Sequence, residues 1–74
     1  MAHMNRVTLF LAHDDQTGTV VWMARFNGPI SGDIIRLFGT NCIPTAFTAA
    51  MPVNEVLDYI AQANPECLVT VQAQ

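Results

Sequence analysis

The alternation of apolar and polar residues at the start of the chain has the two-residue period of β-strands. Residues 6–12 and 19–26 are rich in β-branched and aromatic side chains, which favour strands. The polar segment 13–18 between them ends in Gly18 and is typical of a hairpin loop. We therefore predict that the chain opens with an antiparallel β-hairpin.

Helical spacing replaces this alternation after the turn residues 27–29. Ser31 is predicted to cap a short helix and Gly39 to end it. A second helix is predicted where Pro52 fits the first turn and apolar residues recur at helical intervals. Weaker strand patterns at residues 45–49 and 67–72 lie on either side of this second helix.

The element order β-β-α-β-α-β predicts an α+β fold with a four-stranded mixed sheet and two helices packed mainly on one face. The final β-α-β unit predicts a right-handed crossover that joins two parallel strands. Pro44 has no N–H to donate to a strand ladder, so we expect it at the start of the third strand or on a sheet edge.

The hairpin carries apolar residues on both of its faces, although two helices cover only one face of a sheet. The uncovered face is expected to show one of two sets of side chains. These are Phe10, Trp22 and Phe26, or Leu9, Leu11, Val21 and Met23. The first helix adds to the excess, because residues 34–38 hold more apolar surface than one side of a short helix can hide.

An apolar patch of that size is typical of an interface. The favoured hypothesis is a domain that acts by protein association, either as a homodimer or as an accessory module for a protein partner. Phe10, Trp22 and Phe26 are the predicted contact residues, and Arg25 is placed at the rim because arginine is common in interfaces.

The length of the chain limits the number of domains, and its charge limits the classes of partner. The 74 residues suffice for one domain. Residues 1–3 precede a second methionine and are interpreted as a cloning remnant, which leaves residues 4–74 as the domain. The chain has six acidic residues against three arginines and no lysine, which argues against nucleic-acid binding.

The location suggested by the sequence is cytoplasmic. No apolar run approaches the ~18 residues of a membrane-spanning helix, and no signal-peptide pattern is found. Cys42 and Cys67 lack metal-ligand spacing and are interpreted as reduced thiols.

A second hypothesis is a domain that binds a small molecule or an anion. The turn at residues 28–33 leads into a helix N-terminus, where free N–H groups attract anions. Gly28, Ser31 and Gly32 would form this site, with Thr40 and Cys42 on a second wall. The nucleotide-binding motifs GxxxxGK[ST] and GxGxxG are both missing, so no cofactor is predicted.

A third hypothesis, a cysteine-dependent enzyme, would use Cys42 as its nucleophile. It lacks a base that the sequence places beside Cys42. The cluster formed by His13, Asp14 and Asp15 has the residue types of a metal or acid–base site, but it is interpreted as a solvated hairpin turn. No catalytic residue and no metal ligand are predicted.

Overall fold

A computed structural model of the chain describes residues 5–72, so the interpretation of residues 1–3 lies outside the described part. Six elements follow one another in the described residues. They are β1 (Arg6–Asp14), β2 (Thr19–Asn27), α1 (Ile30–Phe38), β3 (Cys42–Thr48), α2 (Val53–Ala63) and β4 (Leu68–Val71). The predicted α+β class with a four-stranded mixed sheet is confirmed.

The strand order in the sheet is β3-β2-β1-β4. β1 and β2 form the predicted antiparallel hairpin, β3 pairs antiparallel with β2, and β4 pairs parallel with β1. The two strands joined by α2 are parallel to each other, as predicted, although β3 and β4 lie on opposite edges of the sheet and do not pair. With β4 beside it, β1 becomes an inner strand, and its Val7 and Leu9 are completely buried.

The hydrophobic core lies between one face of the sheet and the two helices. The hairpin register pairs Val7 with Phe26 and Leu9 with Ala24, so these side chains share that face. They belong to a single cluster of buried residues: Val7, Leu9, Trp22, Ala24, Phe26, Val56 and Ile60. Val56 and Ile60 come from α2, while Ile30 and Ile34 of α1 pack against the cluster from the side.

The register also corrects the predicted set of uncovered residues. Leu11 lies opposite Trp22, whereas Phe10 lies opposite Met23 and faces the other way. Trp22 and Phe26 are therefore core residues, 6% and 8% exposed. The indole N–H of Trp22 donates to the backbone carbonyl of Met51 at 3.4 Å. Phe10 does not share a face with either aromatic residue.

The start of α1 differs from the sequence prediction. The helix begins at Ile30, after Pro29, and Ser31 is its second residue rather than its cap. The Ser31 hydroxyl donates back to the Gly28 carbonyl at 2.7 Å. The group that accepts from the first helical N–H is the side-chain oxygen of Asn5, 2.9 Å from the Ile30 nitrogen. Gly39 ends the helix in the left-handed conformation, with φ of 80°.

Replacing Asn5 with alanine is expected to destabilise the domain, because it leaves the Ile30 N–H without its acceptor. Loss of a capping group of this kind costs about 1 kcal/mol. For a domain of this size, that lowers the melting temperature by about 4–8 °C. Thermal unfolding followed by circular dichroism measures the change. Asn54→Ala, at an exposed position early in α2, is the control and should melt close to the wild type.

Candidate functional site

The first helix leaves most of its apolar side chains partly or largely exposed. None of the nine residues of α1 is buried, although five of them are large and apolar. Leu37 is 75% exposed, Phe38 60% and Ile35 48%. A helix this short depends on tertiary packing for its stability, so this much exposed apolar surface on it requires an explanation.

An apolar cleft of about 370 Å³ opens beside α1. One wall comes from α1, through Ile34 and Phe38, and the other comes from α2, through Tyr59 and Ile60. Phe26 of the sheet lies among the residues that line it. The cleft exists because α1 and α2 both pack on the same side of the sheet but leave the surface between them uncovered.

An irregularity in β3 shapes the edge of this cleft. Between its pairs with Met23 and Val21, β2 advances by two residues while β3 advances by four, from Pro44 to Thr48. The hydroxyl of Thr45 donates to the Trp22 carbonyl at 2.7 Å. This bond compensates for the interrupted ladder. The displaced backbone brings residues 44–46 to the cleft, where they form its rim.

The chemistry of the cleft is apolar. Its lining residues include no acid, no histidine and no cysteine, and their polar side-chain groups are the hydroxyls of Thr45 and Tyr59, of which that of Thr45 is bonded to the Trp22 carbonyl. The Tyr59 ring contacts the Phe47 ring edge-on, with centroids 5.0 Å apart and an angle of 75°. Edge-to-face contact fixes aromatic rings in place. The cleft can therefore hold apolar side chains or an apolar ligand.

The four predicted interface residues are divided between the two faces of the sheet. Phe26 lines the cleft, but only its edge is exposed, and Trp22 is held in the core. Phe10 and Arg25 lie on the opposite face, with the guanidinium carbon 4.9 Å from the ring centre. The structure thus brings Phe10 and Arg25 together and separates them from Trp22 and Phe26.

The predicted anion site is not assembled. Gly28, Ser31 and Gly32 stand at the start of α1, while Thr40 and Cys42 follow its end, about 13 Å away along a helix of this length. The first two helical N–H groups are already bonded, to the Asn5 side chain and to the Gly28 carbonyl. None of the five residues lines either of the two described cavities.

Thr40 has a local structural role instead, since its hydroxyl oxygen accepts from the Cys42 backbone N–H at 3.2 Å. Cys42 lies across the ladder from Arg25, near one end of the hairpin. His13 is near the other end, about 17 Å along β1 and on the opposite face. The structure therefore places no described histidine beside the Cys42 thiol.

The cluster of His13, Asp14 and Asp15 at the hairpin turn makes only weak contacts. His13 and Asp15 are 3.6 Å apart and exposed, and the Asp14 carboxylate accepts from the Gln16 N–H at 3.0 Å. Within residues 5–72, no group of three or more histidine, cysteine or acidic side chains is arranged to hold a metal ion. In the same residues, no helix is both long and apolar enough to cross a membrane.

Ile34, Phe38 and Tyr59 were not among the sequence-predicted site residues. The surplus of apolar residues in α1 was visible in the sequence and was the signal that could have identified Ile34 and Phe38. Tyr59 lies outside the apolar stripe of α2, and only the position of α1 makes it part of a cleft wall.

Comparisons with protein-family models, with curated proteins and with solved structures found no match to this chain. The functional interpretation accordingly depends on the geometry of the chain itself.

Cys67 is a partly buried thiol that immediately precedes β4. Burial raises the pKa of the Cys67 thiol above its ordinary value, and the adjacent Glu66 carboxylate raises this pKa further. The thiolate is the reactive form of cysteine. In a Cys42→Ser variant, we expect iodoacetamide to react with Cys67 more slowly at neutral pH than with a cysteine in an unfolded peptide. Mass spectrometry follows the reaction.

The pH profile is a stricter check of the same prediction. Because the pKa is raised, the rate should reach its half-maximum above the ~8.5 of a free thiol. The same variant in denaturant should return to the ordinary profile. A profile in the folded protein that matches the denatured one would contradict the assignment.

Proposed function

We propose that this chain is a protein-association domain that forms a homodimer through α1 and the adjoining cleft. The observation that carries the proposal is the exposure of apolar side chains around one opening, where Phe38 and Tyr59 are 60% and 61% exposed. Large apolar patches on a small domain typically mark an interface. The cytoplasmic location stays a prediction, consistent with two free cysteines.

The exposed area on the cleft side of α1 contributes to a small interface. The uncovered parts of Ile35, Phe38 and Tyr59 amount to roughly 300 Å² on one protomer, from side chains of about 170–200 Å² each. Two copies would bury about 600 Å² from these residues, to which the cleft rim of each protomer adds. This is at the lower limit for a specific interface and favours a dissociation constant on the order of micromolar.

The order of residues along α1 favours an antiparallel contact between two copies. Residues 31, 34, 35 and 38 share one face of the helix, since they follow the spacing i, i+3, i+4, i+7. An antiparallel copy would set the large Phe38 against the small Ser31 of its partner. The same arrangement sets opposite ends of the helix dipoles side by side and satisfies the self-complementarity of a two-fold interface.

Replacing Phe38 with serine should weaken dimerisation at least tenfold, because it removes a central apolar contact. Sedimentation velocity over about 5–200 μM measures the association constant. Leu68→Ser is the matched control, since Leu68 is 56% exposed but lies on the edge strand β4, away from the cleft. It should leave the association constant unchanged.

Both substitutions are at exposed positions, so both variants should keep the wild-type circular dichroism spectrum. A wild-type protein that is monomeric at 200 μM would contradict the homodimer. So would a Phe38→Ser variant that associates as strongly as the wild type. A monomer whose Phe38 and Tyr59 resonances shift on addition of a hydrophobic peptide would point to the accessory-module form of the hypothesis.

A further inference from the structure

The sheet face opposite the helices has a polar row across its centre. The strand registers align one residue from each strand: Thr70 of β4, Thr8 of β1, Arg25 of β2 and Cys42 of β3. We call this the open-face row. Side chains of adjacent strands in register are neighbours at about 5 Å, so the Thr8 and Thr70 side chains adjoin the base of the Arg25 side chain, whose guanidinium reaches the next row at Phe10.

Arg25 is held in a fixed position within this row. Its Nη2 group donates to the side-chain oxygen of Gln72 at 2.7 Å, and its guanidinium lies over the Phe10 ring. Its Nε atom is buried and has no hydrogen-bond partner. A guanidinium has five N–H donors, and one side-chain hydrogen bond of Arg25 is formed within the described residues. The group is thus held in place while its other terminal N–H donors have no partner among these residues.

The positive charge of this row also has no counterion on the described surface. Two ion pairs form between described residues, His13 with Asp15 and Arg36 with Asp33. Arg25 takes part in neither of them. Arg6 precedes Thr8 by two residues on the same face and adds a second positive charge. The acid of β1, Asp14, is about 20 Å from Thr8 along the strand.

In a protein of net charge −3, two of the three arginines lie on this face of the sheet. An anion at Arg25 would bond to the terminal N–H groups that have no partner among the described residues. The planar fork of arginine matches the oxygens of carboxylate and phosphate groups, and such charge-assisted bonds are among the strongest that proteins form.

We propose that the open face of the sheet binds an oxyanion, a carboxylate or phosphate group, at Arg25. The terminal N–H groups of Arg25 bind the oxygens, the hydroxyls of Thr8 and Thr70 donate to the same group, and Arg6 supplies a second charge at the border. Phe10 and Met23 lie in the next row of the sheet, so apolar surface adjoins the anion position. This site is independent of the cleft and of dimerisation.

The test is a titration of ¹⁵N-labelled protein with sodium phosphate and, separately, with sodium acetate, at constant ionic strength maintained with sodium chloride. We expect saturable shifts of the Thr8 and Thr70 amides and of the Arg25 Nε–H with at least one of the two anions. The anion that binds more tightly shows whether the site prefers a phosphate or a carboxylate group. Arg25→Gln should weaken this binding at least tenfold.

Arg36→Gln is the matched control, because Arg36 is exposed on α1 and already paired with Asp33. It should bind like the wild type. Thr8→Val, which removes one hydroxyl at constant volume, should weaken binding severalfold and covers the case in which Arg25→Gln fails to fold. The proposal is overturned by shifts that do not saturate with either anion, or by equal binding in Arg36→Gln and in both open-face variants.

Discussion

The register of the β1–β2 hairpin is the constraint on which the rest of the molecule depends. The short turn pairs Asp14 with Thr19, and this closure fixes every cross-strand pair as far as Arg6 and Asn27. A slip by one residue would exchange the two faces of a strand. With the observed register, Leu9 and Trp22 face the helices, while Phe10 and Arg25 face away from them. Core, cleft and polar row all follow from that division.

The cleft results from a mismatch between the two layers. Two short helices cover the sheet, but α2 supplies both of the buried helical residues, Val56 and Ile60. α1 packs beside the core through Ile30 and Ile34, without being enclosed by it. The bulged part of β3 then leaves the space between the helices open at the sheet edge.

The sequence was informative where local chemistry decides the structure. Neighbouring residues alone determine three features that the sequence predicts. These are the hairpin strands within residues 6–12 and 19–26, the helical spacing of apolar residues in α2, and the end of α1 at Gly39. The position of β4 beside β1 and the capping of α1 by Asn5 depend on residues that meet only in the folded chain. Ser31 was the best local candidate for the cap, and a side chain 25 residues away is bonded there instead.

The same dependence on contacts of the folded chain explains why the predicted interface residues are divided between the two faces of the sheet. Apolar alternation on both faces of the hairpin showed that one face would stay uncovered, but periodicity does not say which residues stand opposite one another. A large aromatic residue such as Trp22 stabilises a core as well as an interface, so its presence in the hairpin does not decide between the two.

β2 links the two proposed surfaces. Ala24 and Phe26 line the cleft, and Arg25 between them points to the open-face row, so consecutive residues of one strand serve opposite sides of the sheet. An inner strand is paired along both edges and moves little. A ligand or partner on either face therefore binds against a strand that keeps its position. The two surfaces can act independently, although only the thickness of the sheet separates them.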